Sequence, residues 1–356
     1  MDVLLKSADE LSCDDREAWQ AIVKGNPLLD SPYFDLACFD AVAAARPDTR
    51  VVCFRDAGAP AAFLPMQVYR FGFARQFAGP LGDHCAIIAP EEFSVDLGES
   101  CAQAGIGVFS FDGALANQNA FEPHIAEIEG SWVIDLSQGY DVYMEHRRSL
   151  MPDTFRKIRS RLRKIEKLSP VFRLRDRRPE AFEAALAWKS AQYEQSETFD
   201  VFSVEWTRKL LNELCHSKAE DFEGIVSSLE IDGQLAAVHI GMGTQRAHHH
   251  WFPAYDHKFA KLGPGNALFL NMAEALANEG VQTIHMGAGG YHHKSQLGSW
   301  QFPIGAGFVG AGPSYKARQL YRALENGMEG GPLGRVGYWP GKARRRIKRM
   351  VDFKLV

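Results

Sequence analysis

The chain has 356 residues, 46% hydrophobic and 24% charged, and its 40 Lys and Arg against 44 Asp and Glu leave a formal net charge of −4. That length exceeds what one hydrophobic core usually organises, so two domains are expected, and the composition excludes a disordered or fibrous chain. The slightly acidic balance excludes a dedicated nucleic-acid binder, which would need a basic face.

The opening MDVLLKSADELSCDDREAW places acids where a signal peptide needs a basic start and a longer apolar run. No later apolar stretch is long enough to span a bilayer. Cys13, Cys38, Cys53, Cys85, Cys101 and Cys215 lack CxxC spacing, which suits reduced thiols better than a disulfide framework or zinc site. A cytoplasmic location is the expectation.

Two stretches share an order of elements. SPYFDLACFDAVAAARPDTRVVCFRDAGAPAAFLPMQV predicts an apolar-periodic helix, a strand ending near Phe54, a turn at Asp56-Ala57-Gly58 and another strand. FSVEWTRKLLNELCHSKAEDFEGIVSSLEIDGQLAAVHIGM predicts a helix, a strand ending at Ile231, the turn Asp232-Gly233 and a strand whose Ala236-Ala237 match Ala61-Ala62. Each copy continues with a strand, a loop, a helix closing at glycine (Gly105 or Gly280) and a further strand, VFSFDGA or TIHMGAG.

Between the copies, DTFRKIRSRLRKIEKLSPVFRLRDRR sets Phe155, Ile158, Leu162, Ile165 and Leu168 as an apolar stripe among arginines and lysines. It predicts a core-packed linker helix whose basic face is either solvated or meets an anionic acceptor. Helical spacing next puts Lys189 with Gln192 and Tyr193 on one side. In the strand that follows, His248 and His250 share a face while His249 points away. With no partnered Cys and no HxxxH spacing, no metal site is expected there. A polar, aromatic-walled groove from His248, His250 and Trp251, or a strand with one wet face, fits the pattern.

The copies differ in the loop before their second helix. Ala89-Pro90-Glu91-Glu92 carries two acids that would repel a phosphate, whereas Lys261-Leu262-Gly263-Pro264-Gly265-Asn266 carries none. Only the second loop is read as an anion site at a helix N-terminus; a plain Gly-Pro-Gly turn is the alternative. The chain ends in a Gly/Pro-rich stretch and then GKARRRIKRMVDFKLV, where Arg344, Arg345, Arg346 and Arg349 suit an anionic membrane surface, a phosphorylated ligand such as a cyclic dinucleotide, or mere solubility.

LAAVHIGM, HHHWFPAYDHKFAKLGPGNALF, the helix closing at Gly280 and IHMGAGGYHHKSQLG, with SPYF and AAFLPM more loosely, resemble the GNAT-superfamily acyltransferases of the FemAB-related, CelD-type group over roughly residues 25 to 310. The resemblance implies an α/β (α+β) fold of two tandem GNAT-like domains, each a mixed, mostly antiparallel sheet flanked by helices. Their bounds would be 1–145, with a degenerate donor loop, and 146–325, with the linker helix and working loop, before a linker and basic tail at 326–356. Two departures stand out. The family's pyrophosphate loop is richer in glycine and usually begins with Gln or Arg, and this chain reads Tyr291-His292-His293-Lys294 where relatives have Tyr-Lys.

The implied activity is N-acyl transfer from acyl-CoA, acetyl-CoA foremost, to an amino group of a bacterial cell-envelope polysaccharide or its nucleotide- or lipid-linked sugar precursor, without a metal. A peripheral place at the cytoplasmic membrane would follow. Such chemistry needs an anchored donor, a base and a group for the developing oxyanion. Lys261, Gly263, Gly265 and Asn266 would hold the donor. His239, Tyr255, Asp256 and Lys294 would form the catalytic set, with Tyr255 protonating the leaving thiolate. Lys189, Tyr193, His248, His250, Trp251, His292 and His293 would contact the acceptor. Structural readings stand beside these: a buried sheet histidine for His239, a rim residue for Tyr255, a turn former for Asp256 and a snorkelling side chain for Lys189. Two alternatives are an aminoacyl-tRNA-dependent FemAB-like transferase, although the chain lacks that group's coiled-coil arm, and a non-catalytic GNAT pair that binds a ligand and regulates exopolysaccharide synthesis.

Overall fold

A computed structural model describes residues 1–217, 219–290, 292–329, 350 and 353–354, with side chains described to residue 323 in the long C-terminal helix. Twelve strands form one sheet. Those of the first half are β1 (Asp2–Lys6), β2 (Thr49–Asp56), β3 (Ala59–Val68), β4 (Phe73–Gln76), β5 (Val108–Leu115) and β6 (Ile125–Asp135). The second half adds β7 (Val171–Arg173), β8 (Phe222–Ile231), β9 (Gln234–Thr244), β10 (Ala247–Tyr255), β11 (Thr283–Ala288) and β12 (Trp300–Gly310).

Their order across the sheet is β1-β2-β3-β4-β5-β12-β6-β11-β10-β9-β8-β7. Read inwards from either edge, the halves repeat one another until the centre. There they exchange their sixth strands: β12 pairs with β5, and β6 pairs with β11. All neighbours run antiparallel except β4 with β5 and β10 with β11. The antiparallel β12–β6 pair then joins the halves into a continuous sheet.

Helices α1 (Cys13–Gly25), α2 (Leu36–Ala45), α6 (Pro179–Gln195) and α7 (Glu205–Cys215) cover one face. Trp19, Phe39, Leu186, Trp206 and Leu210 from these helices belong to one buried cluster that runs across both halves. Helix α2 presents LACFDAVAAA, apolar nearly all round, because it packs against both the sheet and α7. Phe353, fully buried, stacks on Trp206 at 5.7 Å and its carbonyl accepts the Trp206 indole N–H at 3.0 Å. The opposite face carries α3 (Leu97–Gln103) over the first half and α4 (Tyr140–Leu150), α5 (Pro152–Ile165), α8 (Pro264–Asn278) and α9 (His292–Leu297) over the second. Helix α5 is the basic linker, and it buries Phe155, Ile158 and Ile165 of the expected stripe. Helix α10 (Gly312–Glu329) continues through the start of the stretch expected to be a linker. Arg344, Arg345, Arg346 and Arg349 lie outside the described residues.

Asp35 caps α2 by accepting the Ala37 N–H at 2.8 Å, while burial, together with the Asp221 and Asp40 carboxylates, pushes its pKa from 3.8 up to about 6. Folding thus disfavours the ionised form. The stability contributed by neutral Asp35 is complete below about pH 4 and is lost as the pH rises through 6. Asp35→Asn keeps a capping oxygen and removes the charge, so it should raise stability by roughly 1–3 kcal/mol at pH 7.5 while gaining nothing at pH 4. Chemical denaturation at both pH values checks this; unchanged or lower stability at pH 7.5 would contradict it.

Candidate active site

Strands β10 and β11 run parallel for three residues only, Ala247–His249 against Thr283–His285. Immediately beyond, each carries a bulge against its other neighbour, β10 between His249 and Phe252 and β11 between His285 and Gly287. Bulges twist and re-aim a strand, so the two part company and open a gap flanked by the start of α8.

On the α2 side of this gap the first half reaches across. Asp83, in the loop between β4 and α3, sets its carboxylate 3.0 Å from His249 Nε2; the histidine is buried, whereas the Asp83 side chain keeps 38% of its exposure. Burial lowers the His249 pKa against the opposing pull of Asp83. Behind them, His84 bridges Ser31 Oγ at 2.7 Å and Ser131 Oγ at 2.9 Å, and its ring lies 5.2 Å from that of His285. His285 Nε2 in turn faces Asp30 Oδ1 at 3.2 Å. Burial raises the Asp30 pKa, but the His285 contact and the Thr283 hydroxyl, which donates at 2.9 Å, outweigh it and hold the group below the ordinary range. Lys294 of α9 donates to the Ala288 carbonyl at the end of β11; burial lowers its pKa against the field of Asp83.

The other expected residues fall into three groups. His239, His248, His250 and Tyr255 share the α8 face of β9 and β10, and His239 Nε2 accepts the Trp251 N–H at 3.3 Å. Trp251 sits on the α2 side, stacked 4.7 Å from Phe252 and edge-on to Tyr33 at 5.8 Å. Lys189 donates to Gln192 at 2.9 Å and to the Pro253 carbonyl at 3.3 Å, with the Tyr193 ring 5.7 Å away. His293 is exposed beside Lys294 and Lys189, and His292 is exposed against Gln296. Asp256 turns away from the gap: it accepts the Lys258 N–H at 2.9 Å and pairs with its ammonium at 2.8 Å.

The glycine loop enters α8 through Gly263 in the left-handed region, φ 67°, followed by Pro264, which has no N–H to offer. Asn266 and Ala267 both donate back to the Gly263 carbonyl, at 3.2 and 3.3 Å. The Ala267 bond is the ordinary first helical one, but the Asn266 bond and that of the Gly263 N–H to the Ala260 carbonyl at 3.1 Å engage two donors that a helix start otherwise leaves free, so the loop offers fewer backbone N–H groups than its sequence suggests. Lys261 is exposed, and Arg161 of α5 lays its side chain across Gly263, with Cδ 3.1 Å from where a β-carbon would stand.

Residues 152–295 match the family described as acetyltransferase (GNAT) domain. This match, on a large and mostly antiparallel sheet flanked by helices, makes the fold GNAT-like and the enzyme class acyltransferase. A GNAT fold implies an acyl-CoA co-substrate in general. Among solved structures, FemX is similar at TM-score 0.58 and 10% identity, covering 90% of this chain and 99% of that one. The C-terminal domain (DUF2156) attributed to a lysylphosphatidylglycerol synthetase of Agrobacterium fabrum is similar at TM-score 0.53 and 15% identity, covering 89% and 97%. L-PGS from Bacillus licheniformis is similar at TM-score 0.50 and 12% identity, covering 87% and 96%. These likenesses are of fold. No curated protein matches the chain in sequence. No helix of the described residues is long and apolar enough to cross a membrane.

Gly287 makes the Asp83 approach possible, because a β-carbon there would stand 2.3 Å from Asp83 Oδ2 and its φ is +70°. Gly287→Ala should cost roughly 1–3 kcal/mol and push Asp83 off His249, whereas Gly290→Ala, with no atom within 4 Å, should stay close to wild type. Denaturation of the two variants separates them; equal stabilities would mean that Asp83 does not depend on the glycine.

Proposed function

We propose that the chain transfers an acyl group from acyl-CoA, acetyl-CoA first, to an amino group of a cell-envelope saccharide or its nucleotide- or lipid-linked precursor. The observation that carries this reading is the Asp83–His249 pair at the mouth of the β10–β11 gap, an accessible carboxylate backed by a buried imidazole on a GNAT-like sheet. The carboxylate takes one proton from the acceptor ammonium, the free amine attacks the thioester carbonyl, and the C–S bond breaks as the tetrahedral intermediate collapses, the nitrogen's second surplus proton ending on the leaving thiolate. Lys294, at the end of β11, is placed to neutralise the developing charge or to return a proton to the leaving thiolate. Lys189, Tyr193, Trp251 and His293 line the approach on the α6 side. Attachment of the basic C-terminal arginines to an anionic membrane or nucleotide belongs to the same proposal.

A second reading has its own support. Pro264 and the engaged N–H groups of Gly263 and Asn266 leave a sparse phosphate cradle, which favours an aminoacyl donor carried by a larger molecule, with the basic face of α5 meeting it.

Calorimetric titration with acetyl-CoA and longer acyl-CoAs separates the two. A β-carbon at Gly265 would touch only Tyr255 Cδ1, at 3.8 Å, so Gly265→Glu should fold while setting a carboxylate at the helix start. Saturable binding that this variant loses supports the acyl-CoA reading; no binding by folded wild type shifts the proposal to the aminoacyl donor. With amino-sugar acceptors, Asp83→Asn should keep acyl-CoA affinity and lose about 10²- to 10⁴-fold in turnover. Unchanged turnover would remove Asp83 as the base.

A further inference from the structure

The α8 face of the same strands holds a second constellation that acyl transfer leaves unused. His239 arrives from β9 and His248 and His250 from β10, and one ring nitrogen of each lies within 4.8 Å of the other two. The His239 and His250 rings are parallel at 4.3 Å, and His248 is 5.3 Å from His239. His239 and His248 are fully buried, yet His239 Nδ1, both nitrogens of His248 and His250 Nδ1 make no hydrogen bond among the described residues. A buried imidazole nitrogen without a partner forfeits its solvation, so the unpaired nitrogens gathered here call for a common one.

The backbone clears room for them. On the same face of β9, positions 241 and 243 are glycine; a β-carbon at Gly241 would stand 2.5 Å from the His239 ring, and one at Gly243 would lie 3.3 Å from His248 Nδ1. Phe269 of α8 closes the inner side, its ring 5.1 Å from His250. On the outer side His248 lines a cavity of about 840 Å³, at the end of the sheet where β8 and β10 begin, whose walls include Arg178, Glu223 and Gln245.

We propose that His239, His248 and His250 form a three-histidine site for a transition-metal dication, Zn²⁺ in the first instance, with its fourth coordination position open toward this cavity. Imidazole-only donors favour Zn²⁺ and its neighbours over Mg²⁺ or Ca²⁺, and three protein ligands with one open position suit a site that also binds a small ligand or water. Burial holds all three imidazoles in the neutral, ligating form. Tetrahedral ligation at Zn–N distances of about 2.0–2.1 Å needs nitrogens about 3.3 Å apart, so the parallel His239 and His250 rings rotate out of their stack on binding. His239 gives up its long contact with the Trp251 N–H on binding, whether it ligates through Nε2 or through Nδ1 with the other tautomer. Sequence spacing conceals the site because its third ligand crosses from the neighbouring strand.

The test uses the full chain, stripped with chelator, and Zn²⁺ or Co²⁺ alone. Competition against a chromophoric chelator should give one Zn²⁺ per chain, and Co²⁺ should give the intense visible bands of a four-coordinate site. His248→Ala, at the cavity wall, and His250→Gln, which keeps much of the ring's volume, should each weaken binding by about 100-fold or more. His216→Ala, also on the cavity wall, and the double variant His292→Ala/His293→Ala should bind as wild type. Absence of stoichiometric binding by folded wild type, binding that survives both His248→Ala and His250→Gln in folded protein, or loss of binding in either control would overturn the proposal.

Discussion

The parallel contact between β10 and β11 ends after three residue pairs, and the chemistry of the protein follows from where it ends. Parallel strands joined by a crossover helix share an end of the sheet, so the turn into α8, the end of β11 and the loop into α9 all gather beside the gap. The two bulges make the separation abrupt, and ordinary strand alternation sets successive histidines of HHHW on opposite faces. His249 thereby meets Asp83 on one side while His248 and His250 meet His239 on the other. One short strand thus serves two polar clusters on opposite faces of the sheet.

Exchange of the sixth strands ties the first half to the gap although its own loop carries Glu91 and Glu92. With β6 alongside β11, Ser131 lies within reach of His84, and the loop holding Asp83 and His84 is pinned over the gap. Glycine is required at two crossing points, Gly113 against the Asp83 carbonyl and Gly287 against its carboxylate. The first half therefore contributes an acid and a hydrogen-bonded support to a site whose walls belong to the second. Helices α2 and α7 pack together on the same face, Cys38 Sγ reaching Met242 Sδ at 3.9 Å, so the halves share a core as well as a sheet.

Much of the architecture was legible because it is local. The turns Asp56-Ala57-Gly58 and Asp232-Gly233 join β2 to β3 and β8 to β9 as their sequences suggest, with Gly58 and Gly233 at positive φ, and Gly105 and Gly280 follow their helices in the same conformation. The Lys189–Gln192 pair and the buried stripe of α5 follow directly from helical spacing. The strand exchange and the Asp83–His249 pair are not local. No period in the sequence brings Asp83 to His249, and the only signal is a Gly-Asp-His turn in an apolar run. The alternation of HHHW correctly separates His249 from its neighbours, but what each face meets depends on register: Pro253 opposite His239 after the bulge, not a uniform ladder, carries His239 to His250. The glycine loop has fewer open donors than its glycines suggest for a physical reason: a proline at the first helical position has no N–H, and the Gly263 and Asn266 N–H groups are bonded to the Ala260 and Gly263 carbonyls.

The central claim is that the acyl donor enters between β10 and β11. Hydrogen–deuterium exchange of the full chain with and without saturating acetyl-CoA measures this directly. Slowed exchange at residues 250–255 and 286–290, together with the start of α8, is the predicted result. Protection confined to the cavity walls at 175–179 and 243–245, or no protection anywhere, would contradict it.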